Sequence, residues 1–276
     1  MTDPADAWGD LHTHSSCSDG ADAPEGVVRR AAACGASLLA LTDHDTVDGL
    51  DRAQAAAAAL GLDFLGGIEL SARLGRREIH VTGLGVDAAN PALRALAARL
   101  HAGRLERSRR MVELLARAGV RLEVPGVEEA APSARMHIAA RLHAMGVTRT
   151  VQEGFDRFLK PGRPAWVPKT LCSIGEALDA VRAAGGVGLV AHPGLTPDLF
   201  AALPELLEYP FDGIEAWHVS HSPARVAELL ALAGARGLLV AGGSDCHGDI
   251  KGEPPALGRV RVPLALLRPL RERLGR

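Results

Sequence analysis

The segment Asp10-Leu11-His12-Thr13-His14-Ser15-Ser16-Cys17-Ser18-Asp19-Gly20 decides the fold of this chain. In an extended strand, side chains two residues apart share one face, so Asp10, His12 and His14 would point to the same side. Two imidazoles at the end of a strand form half of a metal site. The turn at 18–20 brings a second carboxylate back towards that end. The remaining ligands must therefore come from other parts of the chain.

Short apolar runs alternate with helical patterns on either side of this segment. After the first strand, further strands are predicted at 37–42, 63–68, 78–86, 187–191, 213–217, 238–241 and 259–262. Helices between them have clear ends: Pro24 suits a first turn, Ser173 to Glu176 form a capping box, and Ser222 precedes a helix that Gly237 stops. This alternation predicts βαβ units and a parallel sheet.

Almost all predicted strands end in His, Asp or Glu. Barrels built from alternating strands and helices carry their chemistry at the C-terminal ends of the strands. His80 is an exception, because it lies early in its predicted strand. We interpret its position as an error in the predicted strand boundary.

The alternation is interrupted after Asn90-Pro91. A long helix is predicted over 93–118, followed by irregular sequence to Pro168 with helices at 134–145 and 151–159. We interpret residues 99–168 as a helical insertion that divides the barrel into a first part, 1–98, and a second part, 169–276. Arg104, Arg107 and Arg110 recur at helical spacing, which predicts a solvated face.

The composition is that of a large α/β domain. The chain has 276 residues, of which 47% are hydrophobic and only 3% aromatic, so the core must consist of Ala, Leu and Val. Residues 101–170 contain 13 Arg and Lys against 7 Asp and Glu, whereas the remainder contains 18 against 26. A basic segment is therefore set into an acidic chain, and the nearly neutral whole gives no signal for binding a polyanion.

Cysteine usage and the N-terminus predict a cytoplasmic protein. The four cysteines, Cys17, Cys34, Cys172 and Cys246, form no Cys-x-x-Cys pair and are expected to be reduced. Residues 1–9 have no apolar core, and no run of about 20 apolar residues occurs, so neither a signal peptide nor a transmembrane helix is expected.

Nine side chains are candidate metal ligands. They are His12, His14, Asp19, His44, Glu69, His80, His192, Asp245 and His247. Nine ligands exceed what one ion needs and suit two or three ions that share a bridging carboxylate. Nitrogen and oxygen ligands without a thiolate fit Zn, Mn or Fe. Asp10, Asp43 and Asp45 are expected either to orient imidazoles or to act as plain turn residues, and Cys246 should face away from the metals.

Several of these motifs together resemble the polymerase and histidinol phosphatase (PHP) superfamily. The motifs are Asp10 to His14, Thr42-Asp43-His44, Glu69, His192-Pro193 and Ser244 to His247. This resemblance implies a distorted (β/α)7 barrel with a trinuclear metal site. It further implies one ion held by His12, His14, Glu69 and Asp245, a second by Glu69, His80 and His192, and a third by Asp19, His44 and His247.

The aspartate at position 19 and the helical insertion resemble one subgroup of that family. The segments that carry this resemblance are Arg135 to Ala139, Phe155 to Leu159, Pro164 to Pro168, and Gly213 to His218 followed by 220–223. Similar proteins hydrolyse phosphate esters of nucleotides, including 3′,5′-bisphosphates, and some trim short 5′-phosphorylated RNA. Met136 departs from the pattern, in which a proline is expected.

The resemblance and the residue types suggest roles in phosphoester hydrolysis. Glu69 would hold two divalent ions (Mn, Fe or Zn), and the hydroxide they share would attack phosphorus. His218 or His221 would donate a proton to the leaving oxygen or contact the phosphate. Arg135, with His137 second, would bind phosphate, because a guanidinium fork matches phosphate oxygens.

The predicted function is therefore that of a metal-dependent phosphoesterase. Its partner would be a small phosphorylated nucleotide, with very short RNA as a further substrate, and the oligomeric state stays open. Histidinol phosphate phosphatase is the alternative enzyme. It is less favoured, because that activity does not need the basic helical insertion. A non-catalytic metal-binding regulatory module is the alternative from another class of function. Such a module is expected to lack some of the metal ligands. Long nucleic acid is disfavoured, because only Trp166 and Trp217 lie near the proposed site.

Overall fold

A computed structural model describes residues 7–122, 135–249 and 256–275. The strands are β1 (Trp8–Asp10), β2 (Leu38–Leu41), β3 (Asp63–Leu74), β4 (Arg77–Leu84), β5 (Cys172–Ser173), β6 (Val187–Val190), β7 (Gly213–Trp217), β8 (Leu239–Gly242) and β9 (Val262–Pro263). The helices are α1 (Pro24–Ala33), α2 (Leu50–Leu60), α3 (Pro91–Arg117), α4 (Arg135–Ala144), α5 (Val151–Gly154), α6 (Ile174–Ala183), α7 (Pro197–Ala201), α8 (Leu203–Leu206), α9 (Pro223–Arg236) and α10 (Leu264–Arg273), and a π-helical turn covers Phe155–Leu159. Within the described ranges, no helix is both long and apolar enough to cross a bilayer.

The predicted helix ends are confirmed by their hydrogen bonds. Pro24 is the first residue of α1. The Ser173 side chain accepts a hydrogen bond from the Glu176 amide, and the Glu176 carboxylate accepts one from the Ser173 amide, which completes the capping box. Ser222 caps α9, and Gly237 follows it in the left-handed conformation that glycine adopts at low cost. Helices α7 and α8 were not predicted.

One sheet curves into a barrel. Its strand order is β8-β7-β6-β4-β3-β2-β1-β9, with β5 beside β3. The chain that follows β1 pairs with the chain that follows β8: the Leu11 amide donates to the Gly242 carbonyl at 3.0 Å, and the Asp245 amide donates to the His12 carbonyl at 2.9 Å. The predicted distorted α/β barrel is therefore confirmed.

The prediction of a parallel sheet is wrong at two strands: β4 runs antiparallel to both of its neighbours, β3 and β6, and β9 runs antiparallel to β1. Only Gly75 and Arg76 separate β3 from β4, whereas a parallel crossover needs about a dozen residues or more. The beginning of β4 consequently lies where parallel strands have their ends, and His80 pairs with Ser71. Strand direction, rather than a boundary error, explains why His80 lies early in its strand.

Alternation along the strands separates two hydrophobic clusters. In β2, Leu39 and Leu41 belong to the larger cluster, which is packed under the surrounding helices, whereas Leu38 and Ala40 belong to a second cluster. Successive strand residues face opposite sides of a sheet, so both faces of β2 are buried. Helix α10 contributes Leu267 and Leu270 to the second cluster. The barrel wall is thus apolar on both sides, and its polar groups are concentrated at the strand ends.

A third hydrophobic cluster lies within the predicted insertion. It contains Met111, Leu115, Ile138, Ala139, Leu142, Phe158, Leu159 and Ala165. Helix α3 begins at Pro91, where the Asn90 side chain accepts from the amides of residues 92 and 93, and it continues without a break to Arg117. The helix therefore crosses the predicted boundary at 98–99, and the division into three parts stays a prediction.

We predict that Arg104, Arg107 and Arg110 lie on a solvated face of α3. This prediction is wrong for Arg104 and Arg107. Arg104 is 6% exposed and Arg107 is 8% exposed, whereas the side chain of Arg110 is 47% exposed. The Arg104 guanidinium donates to Asp45 in the loop after β2, and the Arg107 guanidinium donates to the Val167 carbonyl. This face of α3 is buried because it packs against the rim of the barrel.

Candidate metal centre

The structure brings all nine candidate ligands together at one end of the barrel. Their ligand atoms form four overlapping groups, within each of which the atoms lie no more than 4.8 Å apart. The groups are His14, Asp19, His44 and His247; His12, Glu69 and His192; His12, His14 and Asp245; and His44, Glu69 and His80. Several residues belong to two groups, which is the arrangement that neighbouring ions with shared ligands require.

Glu69 lies at the middle of this centre. Its Oε1 is 2.7 Å from His80 Nδ1 and 2.8 Å from His192 Nε2. Its Oε2 is 2.9 Å from His44 Nδ1 and 3.4 Å from both His12 Nε2 and His14 Nε2. Two ligands about 2.1 Å from one ion at a tetrahedral angle lie about 3.4 Å apart. The two 3.4 Å distances match that spacing, whereas the three contacts of 2.7–2.9 Å are at hydrogen-bond distance. Glu69 thus lies where each of its oxygens faces a different set of imidazoles.

Unpartnered buried atoms indicate that the centre fits divalent cations. Among the described residues, Nδ1 of His14 is buried and has no hydrogen-bond partner. Nδ1 of His44 and Nδ1 of His80 meet only the Glu69 carboxylate, at ion-pair distances of 2.9 and 2.7 Å but without hydrogen-bond geometry. His12 Nε2 and His14 Nε2 face each other at 3.1 Å. A buried polar atom without a partner is costly. Cations held by this nitrogen and oxygen set would satisfy these atoms, and the donor types suit Zn, Mn or Fe.

The backbone is strained where the loops present these ligands. His192 has φ 27°, Asp245 has φ 51° and Asp45 has φ 56°, and these are the non-glycine residues with positive φ in the described ranges. Such conformations cost of order 1 kcal/mol or more and persist where the surroundings enforce them. All three residues are at or beside the centre, so the strained backbone serves to direct their side chains.

Sequence reasoning missed Glu215, which holds two of the ligands. Its buried carboxylate accepts from His12 Nδ1 at 2.8 Å and from the Thr82 hydroxyl at 2.7 Å through Oε1. Its Oε2 accepts from the His192 amide at 2.8 Å. A proton on His12 Nδ1 leaves the Nε2 lone pair facing the centre. The sequence signal that could have identified Glu215 is its position as a single acidic residue within the apolar strand β7.

The three aspartates proposed to orient imidazoles do not contact an imidazole ring in the described ranges. They instead accept hydrogen bonds from loop amides and serine hydroxyls. Asp10 accepts from the Ser244 amide, Asp43 from the Ser15 amide and the hydroxyls of Ser15 and Ser18, and Asp45 from the Ser71 amide and hydroxyl. The alternative role as turn residues is therefore the observed one, because these contacts fix the loops that carry the ligands.

The centre is electrostatically coupled. Burial would raise the pKa of Glu69, but the imidazoles of His44 and His80 outweigh it, and the pKa lies well below its usual range. Burial would lower the pKa of His80, but the Glu69 carboxylate outweighs it and raises the pKa to about 9. Burial dominates at His44 and lowers its pKa to about 4. The Glu69 carboxylate is thus ionised at neutral pH, as a metal ligand must be.

His218 and His221 differ in their access to the centre. His218 Nε2 lies 3.2 Å from Asp245 Oδ2, and its Nδ1 lies 2.7 Å from the Ser220 hydroxyl. His221 donates from Nδ1 to the Ala216 carbonyl at 2.9 Å and accepts at Nε2 from the Gly194 amide at 3.0 Å. Both ring nitrogens of His221 are therefore occupied by the backbone, whereas His218 reaches a candidate ligand.

Arg135 and His137 lie in α4 of the predicted insertion. Burial lowers the pKa of His137, and the charges of Asp19 and His247 act on it as well, so the ring lies near the centre. Arg135 is half-buried and is close enough to Arg107 for its charge to lower the pKa of that guanidinium. Both residues therefore interact electrostatically with groups at the barrel rim.

Comparison with known proteins identifies the family. A family model for the PHP domain matches residues 10–146. The chain is 39% identical over 252 residues to a 3′,5′-nucleoside bisphosphate phosphatase of Chromobacterium violaceum, and the match covers 88% of each chain. This chain belongs to the PHP family. Two further relatives are a 5′-3′ exoribonuclease Rnm of Salmonella typhimurium (33% identical; 86% of this chain and 84% of the relative) and a phosphoribosyl 1,2-cyclic phosphate 1,2-diphosphodiesterase of Eggerthella lenta (36% identical; 92% and 98%).

Solved structures support the same assignment. A metal-dependent phosphoesterase structure from Bifidobacterium adolescentis superposes with a TM-score of 0.82 at 31% identity and covers 99% of this chain and 100% of that one. A Chromobacterium violaceum structure described as an amidohydrolase with bound sulfate and no metal gives a TM-score of 0.81 at 36% identity, with 97% of each chain covered. The present PHP protein is therefore a metal-dependent phosphoesterase.

Proposed function

We propose that this protein hydrolyses phosphate monoesters of small nucleotides. A nucleoside 3′,5′-bisphosphate or an AMP-like mononucleotide is the preferred substrate, and short 5′-phosphorylated RNA is a further one. The observation that carries the proposal is the meeting of nine metal-ligand side chains around Glu69 beside a basic helical segment. The relatives named above act on a nucleoside bisphosphate, on RNA from its 5′ end and on a cyclic sugar phosphate.

The nine ligands would hold two or three divalent ions of Mn, Fe or Zn. When bound, such ions supply an activated water at neutral pH and neutralise charge at phosphorus. Glu69 would bridge two of them, since both of its oxygens face imidazoles at 2.7–3.4 Å. Glu215 keeps His12 in the tautomer with Nε2 directed inward.

His218 is our candidate for the proton donor to the leaving oxygen. Its Nδ1 is engaged with Ser220, and its Nε2 lies 3.2 Å from Asp245 Oδ2 at the edge of the centre, so Nε2 is the atom from which a proton would reach a leaving oxygen bound there. His221 would act as a positioning residue, because it links the loop after β6 to the end of β7 through two backbone contacts. Arg135 and His137 would contact phosphate oxygens from α4.

A substrate panel tests the proposal. It contains AMP, adenosine 3′,5′-bisphosphate, a 5′-phosphorylated dinucleotide, histidinol phosphate and a 1,2-cyclic sugar phosphate, with phosphate release and product identity as readouts. We expect the two adenine nucleotides to have the highest kcat/KM. A preference for histidinol phosphate or for the cyclic diester would replace the nucleotide assignment. The absence of turnover on all five substrates with metal-loaded protein would favour the regulatory alternative.

A further inference from the structure

A glutamate that is not among the candidate ligands lies beside His80. Glu78 and His80 are two residues apart in β4, so their side chains are on the same face of the strand. Glu78 Oε1 lies 3.3 Å from His80 Nε2, and the other ring nitrogen, Nδ1, lies 2.7 Å from Glu69 Oε1. The imidazole of His80 is therefore held between one carboxylate of the metal centre and one carboxylate outside it.

A buried lysine restrains the Glu78 carboxylate. Lys169 Nζ donates at 2.7 Å to Glu78 Oε1, the same oxygen that faces His80. The side chain of Lys169 is 9% exposed and that of Glu78 is 35% exposed. A buried charge without its partner is costly, so Lys169 keeps a partly exposed glutamate in one place. Burial would raise the pKa of Glu78, but the hydrogen bond with His80 and the charge of Lys169 outweigh it, and the pKa lies well below its usual range.

Lys169 itself is fixed by contacts on both sides in the chain. Three residues later, β5 begins and pairs with β3 at Ala72 and Arg73. Two residues earlier, the Val167 carbonyl accepts from the Arg107 guanidinium of α3. The segment that leaves the predicted insertion is thus attached to the long helix and to the barrel. Its lysine therefore presents a fixed cation to Glu78.

Two ligand imidazoles at different oxygens of Glu69 have the same kind of support. His12 Nε2 faces Oε2, and its Nδ1 binds the Glu215 carboxylate. His80 Nδ1 faces Oε1, and its Nε2 is next to the Glu78 carboxylate. In both rings, a proton on the nitrogen that faces away from the centre leaves the lone pair of the other nitrogen for an ion.

We propose that Glu78, restrained by Lys169, is a positioning residue for His80. Its carboxylate accepts a hydrogen bond from Nε2–H and so fixes the tautomer and the ring orientation in which Nδ1 binds an ion beside Glu69. Loss of such a carboxylate typically weakens metal binding by about 10- to 100-fold. This inference concerns the metal centre and holds for any phosphoester substrate, so the outcome of the substrate panel does not affect it.

The first test compares metal retention in Glu78→Ala and Glu106→Ala. Glu106 lies in α3 with its side chain 74% exposed, and it serves as the matched control. Protein loaded with Zn is dialysed against graded chelator, and the ions per chain are counted by elemental analysis. Glu78→Ala should lose one ion at a chelator concentration at least about tenfold lower than the wild type, and Glu106→Ala should match the wild type. Equal retention of all ions in Glu78→Ala would overturn the proposal.

The second test observes the ring directly, which a merely structural role would not change. Zn-saturated protein labelled with 15N-histidine should give a downfield Nε2–H signal from His80, assigned by its absence in His80→Asn. The signal should move upfield or exchange with water in Glu78→Ala and stay in place in Glu106→Ala. Glu78→Gln keeps an acceptor oxygen, so its shift should be smaller and in the same direction, and this variant carries the test if Glu78→Ala does not fold. An unchanged signal in a folded Glu78 variant would remove the positioning role.

Lys169→Met tests the restraint separately. It leaves Glu78 in place without its cation, so the retention of the ion should fall between those of the wild type and Glu78→Ala. Retention equal to that of the wild type would show that Lys169 has no part in positioning His80.

Discussion

At the scale of the residue, Glu215 links one ligand ring to the backbone of another. One carboxylate binds the His12 imidazole, the His192 amide and the Thr82 hydroxyl. Partners of this kind fix the tautomer and orientation of a metal-bound histidine, and their loss typically weakens metal binding by about 10- to 100-fold. Glu215 therefore affects the centre without being among its nine candidate ligands.

Glu215→Gln keeps the shape of the side chain and removes its charge. We expect metal affinity to fall about 10- to 100-fold, measured as metal retained per chain during dialysis against graded chelator. Glu228→Gln, at an exposed position of α9, is the matched control and should retain metal like the wild type. Equal retention in both variants would mean that Glu215 has no part in orienting His12.

The proposed role of His218 as a proton donor can be tested by changing the leaving group of the substrate. His218→Asn should lower kcat about 100-fold or more for a nucleotide, whose alkoxide needs a proton. The loss should be much smaller for para-nitrophenyl phosphate, whose leaving group departs without one. His143→Asn, at an exposed position of α4, is the control and should leave both rates unchanged. A loss of the same size on both substrates would assign His218 a role other than proton donation.

At the scale of the element, α3 is joined to the barrel by a buried ion pair. Arg104 is 6% exposed, its partner Asp45 is 1% exposed, and Asp45 also binds the amide and hydroxyl of Ser71 in β3. The Asp45 carboxylate thus joins three parts of the fold: helix α3, the loop that carries His44, and strand β3, which carries Glu69. The position of α3 is therefore coupled to the position of the loop that carries His44.

Arg104→Met leaves Asp45 as a buried charge without its cation. The free energy of unfolding of the metal-free protein should fall by about 3–5 kcal/mol, as measured by urea denaturation. Arg110→Met, on the exposed face, should change it by less than about 0.5 kcal/mol. Adding Asp45→Asn to Arg104→Met should recover part of the loss, because the unpaired charge is then removed. Additive losses in the double variant would contradict this coupling.

At the scale of the whole molecule, side chains from distant parts of the chain meet at one end of the barrel and form the candidate metal centre. Its candidate ligands come from positions 12 to 247 and include buried atoms without hydrogen-bond partners in the described structure. Ions that bind the folded protein and not the unfolded chain stabilise the fold by mass action. The metal content should therefore set both activity and thermal stability.

Purified protein should contain two or three divalent ions per chain by elemental analysis. Removing them with chelator should abolish phosphoesterase activity and lower Tm by several degrees, and re-addition of Mn, Fe or Zn should restore both. Fewer than two ions in fully active protein would reject a polynuclear centre. An unchanged Tm after complete removal would show that the ligand cluster does not contribute to folding.

Much of this architecture was predictable from local signals. The helix ends at Pro24, Ser173 and Gly237 follow from caps that act within a few residues. The nine candidate ligands follow from histidine and carboxylate residues at predicted strand ends, where barrels carry their sites. The short link at Gly75-Arg76 also indicates an antiparallel hairpin, which explains the position of His80 early in β4.

The sequence by itself determined the barrel and the set of candidate ligands, because periodicity, caps and residue type are properties of short stretches. Only the tertiary structure decided what the charged groups touch. It joined Glu215 to His12, buried Arg104 against Asp45, and occupied both nitrogens of His221 with backbone. These contacts connect residues far apart in the chain, and their partners are set by packing, which no local pattern encodes.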